Sequence, residues 1–340
     1  MTTAPRSWVA RLSPYMAPEN GRAVFETLVT VIPFAGLWAA MVYLETISIF
    51  LALPLVLPAA GLMVRLFIIQ HDCGHGAMFT SKTANDWLGR TIGVLTLTPY
   101  DYWRHTHALH HASSGNLDKR GFGDIDTLTL EEYRALDRMG RLKYRLYRHP
   151  AVMFGLGPAY LFLVQHRLPL GAMNKGHIPW TSTLATNAGI LALYAILIYF
   201  VGFWTFLLIQ FPVILIGASA GVWLFYVQHQ FEEAHWERTD DWDRANAALH
   251  GSSFYDLPQP LMWFTGNIGI HHVHHLSSRI PFHKLPQILK DHPELKTIGR
   301  LTLWQSIKCV RLTLWDEQAK KLISFREAAR RIMPAQAAAA

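Results

Sequence analysis

Four apolar stretches of the sequence each come close to the roughly 20 residues that a helix needs to cross the hydrocarbon core of a bilayer. The stretches are Ala23–Leu44, Ile47–Gln70, Leu184–Val201 and Trp204–Gln228. The connection within each pair is very short, so the stretches predict two antiparallel helical hairpins. The first stretch is too long for the apolar region of a signal peptide and has no obvious small-residue cleavage site, which favours a retained span.

The composition supports a membrane protein. Apolar residues make up 51% of the 340 residues and charged residues 16%, whereas a soluble domain carries about 25% charged residues. The net charge of +7 is spread along the chain without the compact basic stripe and interleaved aromatic residues of a nucleic-acid-binding protein. Only two cysteines occur, which excludes a disulfide framework and fits a reducing compartment.

The basic residues predict the orientation. No Lys or Arg lies between Arg22 and Arg65, and none lies between Lys175 and Arg238. Both hairpin tips therefore face outward, and both chain termini face the cytoplasm. Arg65 is expected to extend its guanidinium to the cytoplasmic interface. The predicted segments are the cytoplasmic N-terminus 1–22, the first hairpin 23–70, a cytoplasmic and interfacial segment 71–183, the second hairpin 184–228 and a cytoplasmic segment 229–340.

Three further stretches are apolar but do not have the length or composition of a span. Trp87–Thr98 and Ala151–Val164 are short, so an interfacial or re-entrant position is expected for both. The tail Arg300–Met333 mixes apolar with basic residues. It predicts helices that lie on the membrane surface or, equally, an ordinary cytosolic layer of helices.

Eight of the eighteen histidines fall into three tight clusters, His71/His75, His107/His110/His111 and His271/His274/His275. Spacings of three and four residues place side chains on one face of a helix, so the three clusters can offer eight imidazoles to a shared site. Eight ligands are too many for one ion, which indicates two metals. Imidazole suits iron, zinc, copper and nickel, so the ligands alone leave the metal open. The sequence predicts an all-α integral membrane protein with two transmembrane hairpins and a cytoplasmic helical cap that carries this dinuclear site.

The other histidines are expected to lie outside the site. His105 and His272 adjoin the clusters but point away from the shared face in helical geometry. Ordinary surface or core positions are expected for six more, namely His149, His166, His177, His250, His283 and His292.

Roughly residues 20 to 300 resemble the membrane fatty acid desaturase superfamily, most closely the omega-6 or delta-12 acyl-lipid type. The resemblance rests on HDCGHGAMF from His71, TPYDYWRHTHALHH ending at His111, GDIDTLT from Gly123 and GNIGIHHVHHLSSRIP ending at Pro281. It implies two non-haem iron ions at the cytoplasmic face, O2 as co-substrate and a cis double bond as product. The eight clustered histidines would be iron ligands, joined by His229 in YVQHQFEEAHW.

The resemblance also assigns supporting residues. Asn267 would hold a metal-bound water or, alternatively, cap a helix. Acidic residues would orient the ligand imidazoles from outside, the candidates being Asp72, Asp124, Asp126, Glu232 and Glu233. An acyl tunnel would be lined by Trp103, Thr265 and Gly266.

The expected partners are an acyl lipid and a separate electron donor. The sequence has no haem-binding HPGG segment, no flavin or nicotinamide motif and no cysteine set for an iron–sulfur cluster, so ferredoxin or cytochrome b5 would supply the electrons. His271 stands where front-end desaturases tend to have glutamine. The HxxxH form of the first cluster differs from the HxxxxH of typical acyl-CoA delta-9 enzymes, which favours a lipid-linked acyl chain.

Three alternatives stay open. A related lipid hydroxylase, acetylenase or ketolase would share every histidine cluster. An intramembrane zinc hydrolase would need a general base such as the glutamate of HExxH, which the clusters lack. A metal transporter would place ionisable residues in the middle of its spans, whereas these histidines lie at or beyond span ends.

Overall fold

A computed structural model describes residues 5–121 and 123–337 of the chain. Short helices and strands surround four long helices. In chain order the elements are α1 (Pro5–Leu12), α2 (Asn20–Glu45), α3 (Ile49–Gly74), α4 (Lys82–Leu95), α5 (Tyr100–Ser113), α6 (Leu130–Ala135), α7 (Arg138–Tyr147), α8 (Gly157–Leu163), α9 (His177–Val201), α10 (Phe203–His229), α11 (Arg244–His250), β1 (Phe254–Asp256), α12 (Gln259–Phe264), α13 (His271–Leu276), α14 (Leu285–Asp291), β2 (Arg300–Thr302), α15 (Leu303–Cys309), β3 (Leu314–Asp316), β4 (Lys321–Ile323) and α16 (Phe325–Ala337).

The helices α2, α3, α9 and α10 are long and apolar enough to cross a membrane, which confirms the predicted helical fold with four spans and a histidine-rich cluster. They form two hairpins with tight turns. Ser48 caps the start of α3 by accepting from the Phe50 N–H. Gly202 alone separates α9 from α10, in the left-handed region at φ +84° that glycine adopts without strain. α9 begins at His177 rather than at the predicted Leu184.

The spans differ in how far the protein buries them. α3 is mostly buried and packs against α2, α4 and α10, whereas α9 is exposed along nearly its whole length. Leu191 of α9 is 72% exposed. Such an apolar side chain can face the acyl chains of the bilayer, because a spanning helix satisfies its backbone hydrogen bonds internally. α3 is therefore the central element, and its C-terminal end carries the first histidine cluster.

Arg65 does not extend its guanidinium to the protein surface, which corrects the expectation from the sequence. Its side chain is 2% exposed. The guanidinium bonds the Glu26 carboxylate of α2, the Thr30 hydroxyl at 3.2 Å and the carbonyl of Trp263. Its carbon also lies 4.2 Å from the centre of the Trp263 ring. A partner on the neighbouring span holds this cation inside the protein and ties α2 and α3 to the segment before α13.

The two short apolar stretches are not spans. Residues 87–98 lie mostly in α4, which packs against α3 and α9. Residues 151–164 form a π-helical turn, Val152–Leu156, followed by α8. This segment packs along α10, with the Phe154 ring 5.0 Å from that of Trp223.

The prediction of helices throughout the tail was wrong in part. α15 and α16 are helical, but β2 pairs in parallel with β1, and β3 pairs with β4 in antiparallel register. The Asp316 carboxylate accepts from the N–H groups of Gln318 and Ala319, and Lys320 has φ +48°, so the β3–β4 connection turns sharply. Strands of three residues are too short for an alternating pattern to be visible in the sequence.

Candidate metal centre

Four helices bring histidines to one point beyond the ends of two spans. His71 lies in the last turn of α3 and His75 directly follows that helix. Three histidines come from α5, three from the fully buried helix α13, and His229 is the last residue of α10. All nine predicted ligands therefore meet in one region.

The nine histidines form two groups, and within each group the ring nitrogens lie within 4.8 Å of one another. The first group is His71, His75, His107, His111 and His274, and the second is His110, His229, His271 and His275. In each cluster, the two histidines that are four residues apart belong to the same group. In the two clusters of three, the histidine three residues after the first belongs to the other group. A helix turns about 100° per residue, so positions i and i+4 lie about 40° apart, whereas i+3 lies about 60° to the other side.

The distances between Nε2 atoms fit shared metal ions. They are 3.1 Å for His107–His111 and 3.1 Å for His111–His274 in the first group. In the second group they are 3.2 Å for His110–His229, 3.1 Å for His229–His271 and 3.1 Å for His271–His275. Two nitrogens about 2.1 Å from one ion are about 3.0 Å apart at a right angle and about 3.4 Å apart at a tetrahedral angle. The observed separations lie between these two values, so both arrangements are compatible with them.

The imidazoles are held in the neutral form that binds metals. Burial lowers the pKa of six of them well below the ordinary value of 6.5, and the neighbouring histidines lower it further. These six are His75, His107, His111, His271, His274 and His275. Little proton competition for these nitrogens is therefore expected near neutral pH.

Two of the predicted carboxylates orient ligand rings from outside. Asp72 Oδ1 lies 2.9 Å from His71 Nδ1, and Oδ2 accepts from the Phe282 N–H at 2.7 Å. Asp124 bonds His110 Nδ1. A bonded Nδ1 directs Nε2 toward the metal and fixes the ring. Asp72 also joins α3 to the chain that follows α13.

The other predicted acids do not share this role. Among the described residues, no hydrogen bond joins the carboxylate of Asp126, Glu232 or Glu233 to a histidine. Glu232 and Glu233 are exposed, because α10 ends at His229 and the chain turns away from the helix axis. The prediction for these three residues is therefore not supported.

Asn267 does not cap α13, because the residue at the cap is Ile270 and no side chain bonds there. Asn267 and Gly266 both have left-handed backbones, at φ +56° and +55°. The Asn267 N–H donates to the carbonyl of Met262 at 2.8 Å, and the Asn267 carbonyl accepts from the N–H of Ile270 at 3.0 Å. The water-holding role of Asn267 stays a prediction.

The three predicted tunnel residues lie in two places. The Trp103 ring stacks on His107 with centroids 4.6 Å apart, so it is in contact with the metal centre. The Thr265 hydroxyl donates to the Leu261 carbonyl at the end of α12. Gly266 packs against α3, where a Cβ would come within 2.7 Å of Ile68. A role for these residues in lining a tunnel stays a prediction.

The remaining histidines lie outside both groups, as the sequence suggested. His105 is exposed on α5. His272 is fully buried, but its Nε2 lies 3.0 Å from the Leu295 carbonyl. Neither of these two, nor the six predicted surface or core histidines, shares a metal-binding group.

Sequence reasoning missed Arg148, which anchors the end of α10 beside His229. It is buried and donates to the Gln230 side chain at 3.0 Å, the Tyr226 hydroxyl at 3.2 Å and the Leu312 carbonyl at 2.8 Å. In the sequence it follows a run of basic residues typical of a solvated helix. Only its spacing of four residues from the aromatic Tyr144 could have placed it on the inner face.

Comparisons with known proteins identify the family of this chain. The model of the fatty acid desaturase family matches residues 48–305, more than half of the chain. The chain belongs to the fatty acid desaturase family and is an oxidoreductase.

Relatives from two organisms support this assignment. A fatty acid desaturase of Bacillus subtilis (strain 168) is 46% identical over 93% of this chain and 89% of its own length. An sn-1 acyl-lipid omega-3 desaturase (ferredoxin) of Synechocystis is 29% identical over 74% of this chain and 69% of its own. An sn-1 oleoyl-lipid 12-desaturase of the same organism is 25% identical over 64% and 62%.

Proposed function

We propose that this desaturase uses two iron ions and O2 to introduce a cis double bond into a lipid-linked acyl chain, at the delta-12 or omega-6 position. The observation that carries the proposal is the division of nine imidazoles into groups of five and four. Each group offers enough nitrogen donors for one ion, and Trp103 and the two bonded aspartates support rings of this set from outside.

Bound iron would activate O2, which is the oxidant of the reaction. An alkyl C–H bond far from a carbonyl has neither an acidic proton nor an electrophilic atom, so side chains alone cannot attack it. The reaction consumes O2, two electrons and two protons, and it converts CH2–CH2 into CH=CH with release of two water molecules. The chain's own part is to hold the ligand rings, to exclude bulk water by burial, and to position one carbon pair of the substrate.

The proposed substrate is an acyl chain attached to a membrane lipid. Relatives named as sn-1 acyl-lipid and sn-1 oleoyl-lipid desaturases support this, as does the position of the ligands at the ends of two helices that are long and apolar enough to cross a membrane. We propose ferredoxin as the electron donor, with cytochrome b5 as the alternative, because two relatives are named as ferredoxin-dependent.

We propose that the metal centre and both termini face the cytoplasm. The ligand-bearing ends of α3 and α10 lie on the same side as the chain segments that carry the basic residues. The two hairpin tips contain no Lys or Arg. This distribution follows the positive-inside rule.

A lipid hydroxylase or ketolase is the second candidate, because the same ligand set would serve it. An intramembrane zinc hydrolase fits the site poorly. Zinc takes about four ligands, whereas one group here has five donors, and no histidine cluster contains the glutamate base of an HExxH site.

The test is a fatty acid profile by gas chromatography–mass spectrometry, in a host that makes only saturated and monounsaturated chains and contains a ferredoxin system. We expect a diene from the wild type and none from His275→Ala. The matched control is His105→Ala, which removes an exposed histidine from a helix that carries ligands and should leave the diene unchanged. A hydroxylated product would favour the second candidate. An unchanged profile with folded, iron-loaded protein would refute the proposed substrate.

A further inference from the structure

Helix α7 has an apolar face that no part of the described structure covers. Met139, Leu142 and Leu146 are 56%, 50% and 53% exposed. At about 100° per residue, these three side chains share a sector about 60° wide. The opposite face is buried through Tyr144, whose hydroxyl donates to the Thr313 carbonyl at 2.6 Å. α7 is therefore anchored on one side and apolar on the other.

Basic side chains border this apolar face on both sides. Lys143 lies on one edge of the sector, and Arg138 and Arg145 lie on the other. All three are exposed, and α7 contains no acidic residue. An apolar stripe between two rows of cations is the pattern of a helix that lies in a membrane interface, where the cations reach the headgroups.

The surface is continuous with the lipid-facing part of the protein. After α7 the chain enters the π-helical turn and α8, which pack along the span α10 and expose Leu156 and Tyr160. Further on, Arg167 bonds the Asn187 side chain at 2.7 Å, within the span α9. Arg148, directly after α7, bonds Tyr226 in the last turn of α10. The C-terminal end of α7 is thus attached to the last turn of the span α10.

We propose that α7 is a membrane-surface helix that binds the acyl chains of the bilayer through its apolar face and recruits anionic phospholipid headgroups through its basic edges. The cations match negatively charged headgroups, and each Lys or Arg near an anionic surface strengthens binding roughly fivefold. This surface is separate from the metal centre, and its test does not depend on turnover.

The test places a fluorophore on Leu142→Cys, since both native cysteines are buried. The full-length protein is reconstituted in nanodiscs of equal parts phosphatidylcholine and phosphatidylglycerol, with one or the other brominated in its acyl chains. We expect quenching by both lipids, and several-fold stronger quenching by brominated phosphatidylglycerol. The double variant Arg138→Gln/Lys143→Gln should stay quenched, because its apolar face is unchanged. It should lose most of the preference, because only Arg145 of the three bordering cations remains.

Two labelled controls define the limits of the signal. A label on Ala319→Cys, in the exposed β3–β4 turn, should not be quenched. A label on Leu191→Cys, on the exposed surface of α9, should be quenched equally by both lipids. The proposal is overturned if the α7 label is not quenched, or if the two lipids quench it equally in the wild type. Shielding of an unquenched α7 label by added ferredoxin would assign the surface to a protein partner instead.

Discussion

Glu26→Gln is expected to destabilise the protein more than Arg65→Met does, although the two side chains form one ion pair. Both are buried within the spans. Removing Arg65 leaves Glu26 paired with Arg22 at 2.6 Å. Neutralising Glu26 leaves Arg65 with a hydroxyl, a carbonyl and an aromatic ring, but with no carboxylate among its described hydrogen-bond partners.

The magnitude follows from the cost of an unpaired buried charge. Breaking a buried pair by removing one partner costs about 3–5 kcal/mol, and we expect Glu26→Gln to lie in this range. Arg65→Met loses hydrogen bonds but leaves a paired acid, so a loss of about 2 kcal/mol is expected. The double variant should be less destabilised than the sum of the two, because neither charge is then stranded.

The assay is unfolding of the purified protein in one detergent, followed by tryptophan fluorescence against denaturant. Arg22→Gln is the matched control, since it breaks only the ion pair between Glu26 and the half-exposed Arg22 and should cost at most about 1 kcal/mol. Equal losses for Glu26→Gln and Arg65→Met, or a double variant that equals their sum, would refute the idea that an uncompensated buried cation dominates.

Three further predictions follow from the metal centre and its support. Asp72→Asn should weaken iron binding about 10- to 100-fold, because it weakens the hydrogen bond that fixes the His71 ring. Asp126→Asn should not, since no described hydrogen bond joins Asp126 to a histidine, and iron content after dialysis against a weak chelator distinguishes the two variants. Gly266→Ala should cost about 1–3 kcal/mol or more, from its left-handed backbone and the contact with Ile68, whereas Gly155→Ala, with open space around it, should be tolerated; thermal unfolding of both tests this. Finally, the metal-free protein should lose stability as the pH falls below about 6.5. Six histidines have pKa values near 6.5 in the unfolded chain but well below 6.5 in the folded protein, so the unfolded state binds more protons. Denaturant unfolding at pH 8 and pH 5.5 measures the difference, and an unchanged stability would contradict the neutral buried state.

The sequence predicted the spans and the nine histidines well, for physical reasons. A span needs a long apolar run, and several histidines at helical spacing turn their imidazoles toward one point, where a metal can bind them. The start of α9 could not be predicted from hydropathy, because Gly176, with φ +88°, sets the helix start several residues before the apolar run begins. The division into two groups was not predicted, although the helical repeat contains it: positions i and i+4 share a metal group, and i+3 belongs to the other.

Long-range contacts determine the features that the sequence could not provide. The burial of Arg65 depends on an acid on another helix, and the anchoring role of Arg148 depends on carbonyls far along the chain. Among the acids near the clusters, distance in sequence did not indicate which would reach a ring. Asp124 reaches His110 across fourteen positions, whereas Glu232, three residues after His229, is exposed.

The crossed assignment of the ligands makes the two metal sites a single unit of assembly. α5 and α13 each give histidines to both groups, so neither group is complete until both helices have docked against the ends of the spans. α13 has six residues, too few to be a stable helix by itself. Its order therefore depends on its neighbours. A substitution that displaces α5 or α13 would disturb both groups of histidines at once.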